Sequence, residues 1–238
     1  MNNEKNVLIL GIGNLLWADE GFGVRAVEYM NRHYHFDNDV LLLDGGTQGI
    51  YLVQEVREAN ILVVFDAVDY GLPPGTLKLV EGDQVPKFLG CKKVSLHQTG
   101  FQEVLALAEM MGDYPQHLLL VGVQPEELED YGGSLRPVVK AQIQPAIDAA
   151  LEYLAKLGIQ GERRATPLQA DVSNGGAIAD MDHYEAGRPG ASEACREGDE
   201  RVLNSAHFEV DYRPVDVDGM SVAVDQHLNQ YRQPGSEK

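Results

Sequence analysis

The chain has 238 residues, of which 44% are hydrophobic, and this length allows one sizeable core because domains commonly contain about 100–200 residues. Its 37 acidic and 19 basic residues give a formal net charge of −18, which argues against binding nucleic acid through the phosphate backbone. The two cysteines, Cys91 and Cys195, lack the paired spacing of a disulfide framework or a thiolate metal site, as expected in a reducing compartment.

The first half of the chain shows a strand pattern and a helix pattern, each occurring twice. Residues 7–10 are a continuous apolar run that ends in glycines, which is typical of a strand buried on both faces. Apolar residues at helical spacing then predict a helix over residues 23–32. A second strand over residues 40–43 ends before Asp44, and a second helix runs to about residue 58.

The clearest strand covers residues 61–65, which are rich in β-branched side chains and end directly before Asp66. A more alternating stretch predicts an edge strand over residues 76–80. The remaining predicted elements are a helix, a strand and a long helix capped by Ser134, over residues 99–111, 118–123 and 135–157. This alternation predicts an α/β fold, a three-layer sandwich with a mostly parallel, twisted five-stranded sheet and helices on both faces.

The composition changes after the last predicted helix. Residues 1–160 are therefore predicted to form the domain, and residues 161–238, which are acidic and have no lasting apolar periodicity, are predicted to be a flexible C-terminal tail. Truncation at Gly161 is accordingly expected to leave the thermal stability nearly unchanged.

The apolar run at residues 7–10 is far shorter than the roughly 18–20 residues that a membrane span needs. It has neither the basic region nor the cleavage site of a signal peptide. We therefore expect a cytoplasmic protein without membrane association.

The loop over residues 11–23 is rich in glycine but does not match a nucleotide-binding fingerprint. Leu16 stands where the third glycine of G-x-G-x-x-G would be, and the Gly-Lys-Ser/Thr of a P-loop is absent. A nucleotide-dependent enzyme on a Rossmann-like sheet is therefore disfavoured. The loop carries two adjacent acids, Asp19 and Glu20, which on their own are typical of a helix N-terminus.

Several polar residues are expected at one edge of the sheet. Asp44 and Asp66 each follow a strand, and open α/β folds bind ligands at the carboxyl ends of their strands. His97 lies in a predicted polar loop that ends at Gly100. Alone, a strand-end aspartate is often a turn cap and a single histidine is more often structural than a ligand. Together, an imidazole and carboxylates suit nickel or zinc. A dyad of Cys91 and His97 is conceivable but has no supporting signature, and no G-x-S-x-G elbow is present.

These segments, in this order, resemble the hydrogenase maturation endopeptidase family. The family motif G-x-G-N-x-L-x-x-D-E-G-x-G matches residues 11–23. The motifs D-G-G-T-x-G, D-A-V, S-x-H-Q-x-G and L-x-G-V-x-P match residues 44–49, 66–68, 95–100 and 120–125. The resemblance covers about residues 6–158, and the order of five motifs makes it specific.

The resemblance implies an endopeptidase that removes the C-terminal extension of a nickel-loaded [NiFe]-hydrogenase large-subunit precursor. We expect the protein to be a monomer. It implies Glu20, Asp66 and His97 as metal ligands, with Asp19 as the alternative to Glu20. The nickel is expected to belong to the substrate, and another divalent metal is expected to be able to replace it. A carboxylate left free, Asp19 or Asp44, is a candidate general base, with a metal-activated water or a side-chain nucleophile as the attacking group. A non-catalytic nickel-binding chaperone with the same ligands is the alternative.

Overall fold

The computed structural model describes residues 6–37, 39–86, 96–168 and 181–187, and of residues 96–99 only the backbone. Five strands form one sheet in the order β3-β1-β4-β6-β5. Their bounds are Val7–Ile12 (β1), Val40–Gly46 (β3), Ile61–Ala67 (β4), Leu77–Glu81 (β5) and His117–Val123 (β6). All neighbouring pairs are parallel except β5 with β6, which is antiparallel. The prediction of a mostly parallel five-stranded sheet is confirmed.

Helices cover both faces of this sheet. They are α1 (Phe22–His33), α2 (Val53–Glu58), α3 (Leu96–Met111), α4 (Pro137–Lys140) and α5 (Ile143–Lys156). Because successive strand residues point to opposite faces, β4 contributes Ile61, Val63 and Phe65 to a first core with α1 and α5, and Leu62 and Val64 to a second core with α2 and α3. Each fully buried side chain of this size contributes about 1.5–3 kcal/mol to folding. Among the described helices, none has the length and apolar character needed to cross a bilayer.

Helix α3 begins at Leu96, three residues before the predicted start. His97 therefore lies in the first turn of a helix and not in a loop. Gly100, at which the sequence predicts the loop to end, is inside the helix, where a Cβ atom would approach the Cα of Gly49 to 3.2 Å. A glycine at this position allows α3 to pack closely against the 3₁₀ turn Gly49–Leu52.

The long helix predicted over residues 135–157 is divided. Helix α4 begins with Pro137, whose fixed φ suits the first helical position, and α5 begins three residues after α4 ends. The predicted cap Ser134 does not cap a helix, because Arg136 is the residue before α4 and the Ser134 hydroxyl donates elsewhere, to Glu185 at 2.8 Å.

Two short strands outside the main sheet tie the chain after residue 160 to α1. Strand β2 (Tyr34–Phe36) pairs antiparallel with β7 (Gly161–Arg163). The N–H groups of Arg164 and Leu168 donate to the carbonyl oxygens of His33 and Arg32, at 2.7 and 2.9 Å. The last carbonyls of a helix have no partner inside the helix, so this segment satisfies two of them.

A short helix, α6 (Met181–Ala186), also contacts the domain. Lys140 Nζ and Ser134 Oγ each lie 2.8 Å from Glu185, and the Tyr184 hydroxyl donates to Gly133 O at 3.3 Å. Burial opposes ionisation of Glu185, but the hydrogen bonds and the charge of Lys140 outweigh it, so the pKa of Glu185 lies below its ordinary value. Met181 packs against the first core.

Where the structure describes the segment after residue 160, this segment contacts the domain and is not a free tail. Residues 161–168 and 181–187 pack on the domain, which local periodicity did not reveal because β7 has only three residues. Residues 169–180 and 188–238 lie outside the described residues, and their flexibility stays a prediction.

Because of these contacts, truncation after residue 160 is expected to lower the thermal stability, and not to leave it unchanged as the sequence alone predicts. Ending the chain at residue 160 removes β7 and the partners of Ser134 and Lys140. We expect the melting temperature to fall by several degrees. The lost contacts should lower the free energy of unfolding by about 1–3 kcal/mol, and in a domain of this size each kcal/mol lowers the melting temperature by roughly 2–4 °C. Ending the chain at residue 190 keeps all described contacts and is the matched control. Equal melting temperatures for both truncations, measured by calorimetry, would contradict this prediction.

Candidate functional site

The glycines of the loop after β1 permit close backbone packing at the carboxyl end of the sheet. A Cβ atom on Gly23 would overlap with the carbonyl oxygens of Phe65 and Ile12, and one on Gly11 would overlap with that of Gly23. Gly13 has a φ of +137°, and a Cβ atom there would overlap with the carbonyl oxygen of Glu20. The glycine pattern therefore has a structural cause, the close approach of α1 and the acidic turn to β1 and β4.

Asp19 is fully buried and holds this loop in place. Its Oδ2 accepts from the N–H groups of Glu126 and Glu127 at 2.8 and 2.9 Å, and its Oδ1 accepts from the N–H of Arg136 at 2.6 Å. Its own N–H donates to Glu127 O at 3.1 Å. We call this arrangement the Asp19 clamp. It joins the first motif to the loop between β6 and α4.

The clamp coincides with backbone strain. Ala18, the residue before Asp19, is buried and has a φ of +39°, in the left-handed region that costs a residue with a Cβ atom about 1–2 kcal/mol. The three hydrogen bonds of Asp19 offset this cost. Because both oxygens of Asp19 accept from the backbone away from solvent, the arrangement disfavours Asp19 as the predicted general base.

Asp66 is the penultimate residue of β4 and is fully buried. Leu62 and Val64 point into the second core, so the alternation of the strand places the Asp66 side chain on that same face. In the pairing register Asp66 stands next to Gly122 on β6, and Gly122 stands next to Lys78 on β5. These three residues form a row across the sheet, which we call the Asp66 row.

Tyr70 lies over the Asp66 row. A Cβ atom on Gly122 would overlap with the Tyr70 hydroxyl and lie 2.9 Å from Cζ of the ring. On the other side Lys78 Nζ is 5.0 Å from the centroid of the Tyr70 ring, a cation–π distance. Burial, and secondarily the negative charge of Asp66, raise the pKa of Tyr70. No local pattern singles out Tyr70 or Lys78, because only the register of three strands brings them to Asp66.

Asp44 belongs to the opposite face. A Cβ atom on Gly45 would contact the side chains of Leu10 and Leu52 in the second core, so the preceding residue, Asp44, points to the first face. Strand β1 lies between β3 and β4, so the backbones of Asp44 and Asp66 are about 10 Å apart, which is two strand spacings. The catalytic role of Asp44 stays a prediction.

The Asp44 carboxylate is exposed, but neighbouring atoms still displace water from part of it. This desolvation raises the pKa of Asp44, against the hydrogen bond from the Gly46 N–H at 2.9 Å and the positive charge of Arg25, which both lower it. A base with a raised pKa binds a proton more readily, which suits general-base catalysis.

Glu20 and His97 complete the predicted ligand set. Glu20 is half-buried in the 3₁₀ turn Ala18–Gly21, directly before α1. His97 lies in the first turn of α3, which packs on the second face and reaches the loop after β3 through Gly100 and Gly49. The backbone of His97 is thus near the carboxyl edge, on the face that Asp66 shares.

Convergence of the three predicted ligands stays a prediction, because the His97 side chain lies outside the described residues. Among the described side chains, no group of three or more His, Cys, Asp or Glu residues is arranged to hold a metal ion. The conceivable dyad partner Cys91 and the second cysteine, Cys195, also lie outside the described residues.

Comparison with known proteins gives consistent matches. Residues 24–153 match the family model HycI, hydrogenase maturation protease. The hydrogenase expression/formation protein HupD of Thiocapsa roseopersicina is 64% identical over 205 residues, which are 86% of this chain and 93% of that protein. The hydrogenase expression/formation protein HoxM of Azotobacter vinelandii is 58% identical, over 87% of this chain and 98% of its own.

The fold is also similar to that of a solved structure. The hydrogenase maturating endopeptidase HybD from Escherichia coli superimposes with a TM-score of 0.64 and 36% identity, over 68% of this chain and 98% of that chain. The 205 residues matched to the Thiocapsa protein exceed the 160 residues of the predicted domain. That match therefore extends into the segment that contains β7.

Proposed function

Because the chain belongs to the hydrogenase maturation protease family and is a peptidase, we propose that it cleaves the nickel-loaded precursor of a [NiFe]-hydrogenase large subunit. In this proposal it removes a C-terminal extension, and the nickel already inserted into the substrate is the signal for cleavage. The observation that carries the proposal is the position of Asp66, buried at the carboxyl end of β4 on the face where the first turn of α3 contains His97.

Glu20, Asp66 and His97 are the proposed ligands to the nickel of the substrate. Two carboxylates and one imidazole are a donor set that suits nickel, and also other divalent metals of similar ligand preference. Binding from the open side of the nickel would place the adjacent peptide at the carboxyl edge of the sheet. The substrate nickel would then polarise the scissile carbonyl or lower the pKa of a bound water to about 7.

Of the two predicted general bases, we propose that Asp44 acts in catalysis. Its carboxylate is exposed and able to exchange a proton with solvent, whereas the oxygens of Asp19 are occupied by the clamp. The placement of Asp44 on the first face requires the substrate to pass over the edge of the sheet near β1. Direct attack by a side-chain nucleophile other than Asp44 is the competing route. Normal cleavage by Asp44→Asn would favour that route, because the variant removes the base without removing the nickel ligands.

Replacement of His97 by alanine tests the proposed recognition. We expect His97→Ala to abolish cleavage of the nickel-loaded precursor, because the nickel loses its imidazole ligand. The melting temperature of His97→Ala should remain close to that of the wild type. The mass of the precursor before and after incubation is the measurement. The matched control is His117→Ala, since His117 begins β6 at the amino edge of the sheet, and its activity should be unchanged.

The state of the nickel provides the second arm of the same experiment. Enzyme that has been treated with a chelator and dialysed should still process nickel-loaded precursor, whereas nickel-free precursor should remain uncut. Equal rates for both precursors, or normal activity of His97→Ala, would contradict the proposal. Binding of loaded precursor without any loss of mass would instead indicate a non-catalytic nickel-binding chaperone.

A further inference from the structure

The first turn of α1 lies close to Asp44. In the pairing register Asp44 stands next to Gly11 on β1, and both residues face the first core. A Cβ atom on Gly11 would overlap with the Gly23 carbonyl oxygen and lie 3.0 Å from the Val24 Cα, so α1 passes directly over Gly11. Because neighbouring strands are about 4.8 Å apart, this part of α1 lies about one strand spacing from Asp44.

Arg25, the next residue of α1, is the charged group that this helix brings to Asp44. It is only 4% exposed. The neighbouring strand contributes Gly11, which has no side chain, and the 3₁₀ turn Gly49–Leu52 contains no charged residue. Desolvation raises the pKa of Asp44, and the Gly46 N–H and the positive charge of Arg25 act against it.

Helix α6, from the segment after residue 160, covers Arg25. The Cζ atom of Arg25 lies 5.6 Å from the centroid of the Tyr184 ring, a cation–π distance, and its Nη1 donates to Glu28 Oε2 at 2.8 Å. The next residue of α6, Glu185, is bound by Lys140, and the charge of Arg25 also lowers the pKa of Glu185. Helix α6 therefore bridges α1 and α4 and holds an aromatic ring against the guanidinium.

We propose that Arg25 is a positioning residue that keeps the Asp44 carboxylate ionised and oriented on the first face, and that α6 holds the Arg25 guanidinium in place for this role. A guanidinium stays charged at every pH at which the protein is folded, and its field is screened less where water is excluded. This inference rests on the proposed function, because it assumes that Asp44 is the general base. It makes α6, which lies outside the five sequence motifs, a contributor to the reaction.

Arg25→Gln in the full chain tests the role of the charge. A base acts when it is ionised, and loss of the positive charge raises the pKa of Asp44. The acidic limb of kcat/KM for loaded precursor should therefore move to higher pH by about half a unit or more, at an unchanged plateau. The Asp44 carboxyl titration, followed by NMR in the free protein, should move equally. Arg25→Lys should restore most of the shift, because it keeps the charge.

Arg32→Gln is the matched control for the loss of charge. It removes a positive charge from the same helix, but from the last turn of α1, at the amino edge of the sheet. The pH profile and the Asp44 titration should both equal those of the wild type.

Tyr184→Ala tests the role of α6 and leaves Arg25 in the sequence. Water then reaches the guanidinium, so both readouts should shift in the same direction as in Arg25→Gln, by a smaller amount. Tyr184→Phe is the matched control, because it keeps the ring and removes only the hydroxyl, which donates to Gly133 O. In the double variant Tyr184→Ala should add nothing to Arg25→Gln, since the ring acts through the guanidinium.

The two readouts separate a failure of this inference from a failure of the proposed function. An unchanged Asp44 titration in Arg25→Gln overturns the positioning role and leaves the proposed function standing. A shifted titration without a shift of the cleavage profile overturns Asp44 as the base and, with it, the role of Arg25 in the reaction. A wild-type titration in Tyr184→Ala, beside a shifted one in Arg25→Gln, overturns the role of α6.

Discussion

Replacing Gly23 by alanine is expected to cost about 4 kcal/mol or more of the free energy of unfolding, which is a large fraction of the roughly 5–15 kcal/mol by which native proteins are stable. Helix propensity alone predicts the opposite sign, because alanine in a helix is about 1 kcal/mol better than glycine. In α1, however, the new Cβ atom would overlap with the carbonyl oxygens of Ile12 and Phe65, on two adjacent strands. Neither backbone group can yield as a flexible side chain would, so the helix must separate from the sheet.

Urea unfolding followed by circular dichroism measures this effect. Gly100→Ala is the matched control, since Gly100 is also helical and its new Cβ atom would meet the Cα of Gly49 at 3.2 Å. A shift of a few tenths of an ångström relieves that contact, so we expect a change within about 1 kcal/mol, of either sign. A Gly23→Ala protein as stable as the wild type would show that the helix is free to move away from β1 and β4.

Replacing Asp19 by alanine should have the second largest effect on stability, about 3 kcal/mol. Three backbone N–H groups, of Glu126, Glu127 and Arg136, lose their acceptor together, and each unsatisfied donor costs about 1–3 kcal/mol before the loop relaxes. Asp19→Asn should also destabilise, because its amide NH₂ group would face N–H donors. If Asp19 were instead the general base, Asp19→Asn would lose activity and keep its melting temperature.

Asp44→Asn is the control for the Asp19 variants. The Asp44 carboxylate accepts one described backbone hydrogen bond, from Gly46, and is exposed, so its replacement should cost less than about 1 kcal/mol. Loss of precursor cleavage in Asp44→Asn at unchanged stability would identify it as the base that the sequence predicts. Calorimetry and precursor mass, measured on the same preparations, separate the two roles.

The main sheet was predictable because each buried strand is a continuous apolar run. Residues 7–10, 61–65 and 118–123 lie within β1, β4 and β6, and their order along the chain favours parallel pairing. Strand β2 was not predictable, since three residues carry no periodicity and its partner β7 follows about 125 residues later. The start of α3 at Leu96 was not predictable, because a glycine such as Gly100 is typical of a loop end, whereas here it allows close packing inside the helix.

The candidate site was predictable in part for the same reason. Asp66 stands out because an acid follows a clear strand, and strand ends collect ligands. The clamp role of Asp19 was not predictable, because its three hydrogen-bond partners are more than 100 residues away. The position of Tyr70 over Gly122 and Lys78 was not predictable, because the register between β4, β6 and β5 places these residues together and no local sequence pattern records that register.

The Asp19 clamp also determines when during synthesis the first motif acquires its final geometry. Arg136, the last partner of Asp19, leaves the ribosome 117 residues after it, which at about 5–20 residues per second takes roughly 6–23 s. Within that time β1, α1 and β3 are already complete and able to pack. The turn that carries Glu20 is anchored only afterwards, when a long loop closes. A nascent chain interrupted before Arg136 therefore contains the entire first motif but lacks the anchor that fixes its shape.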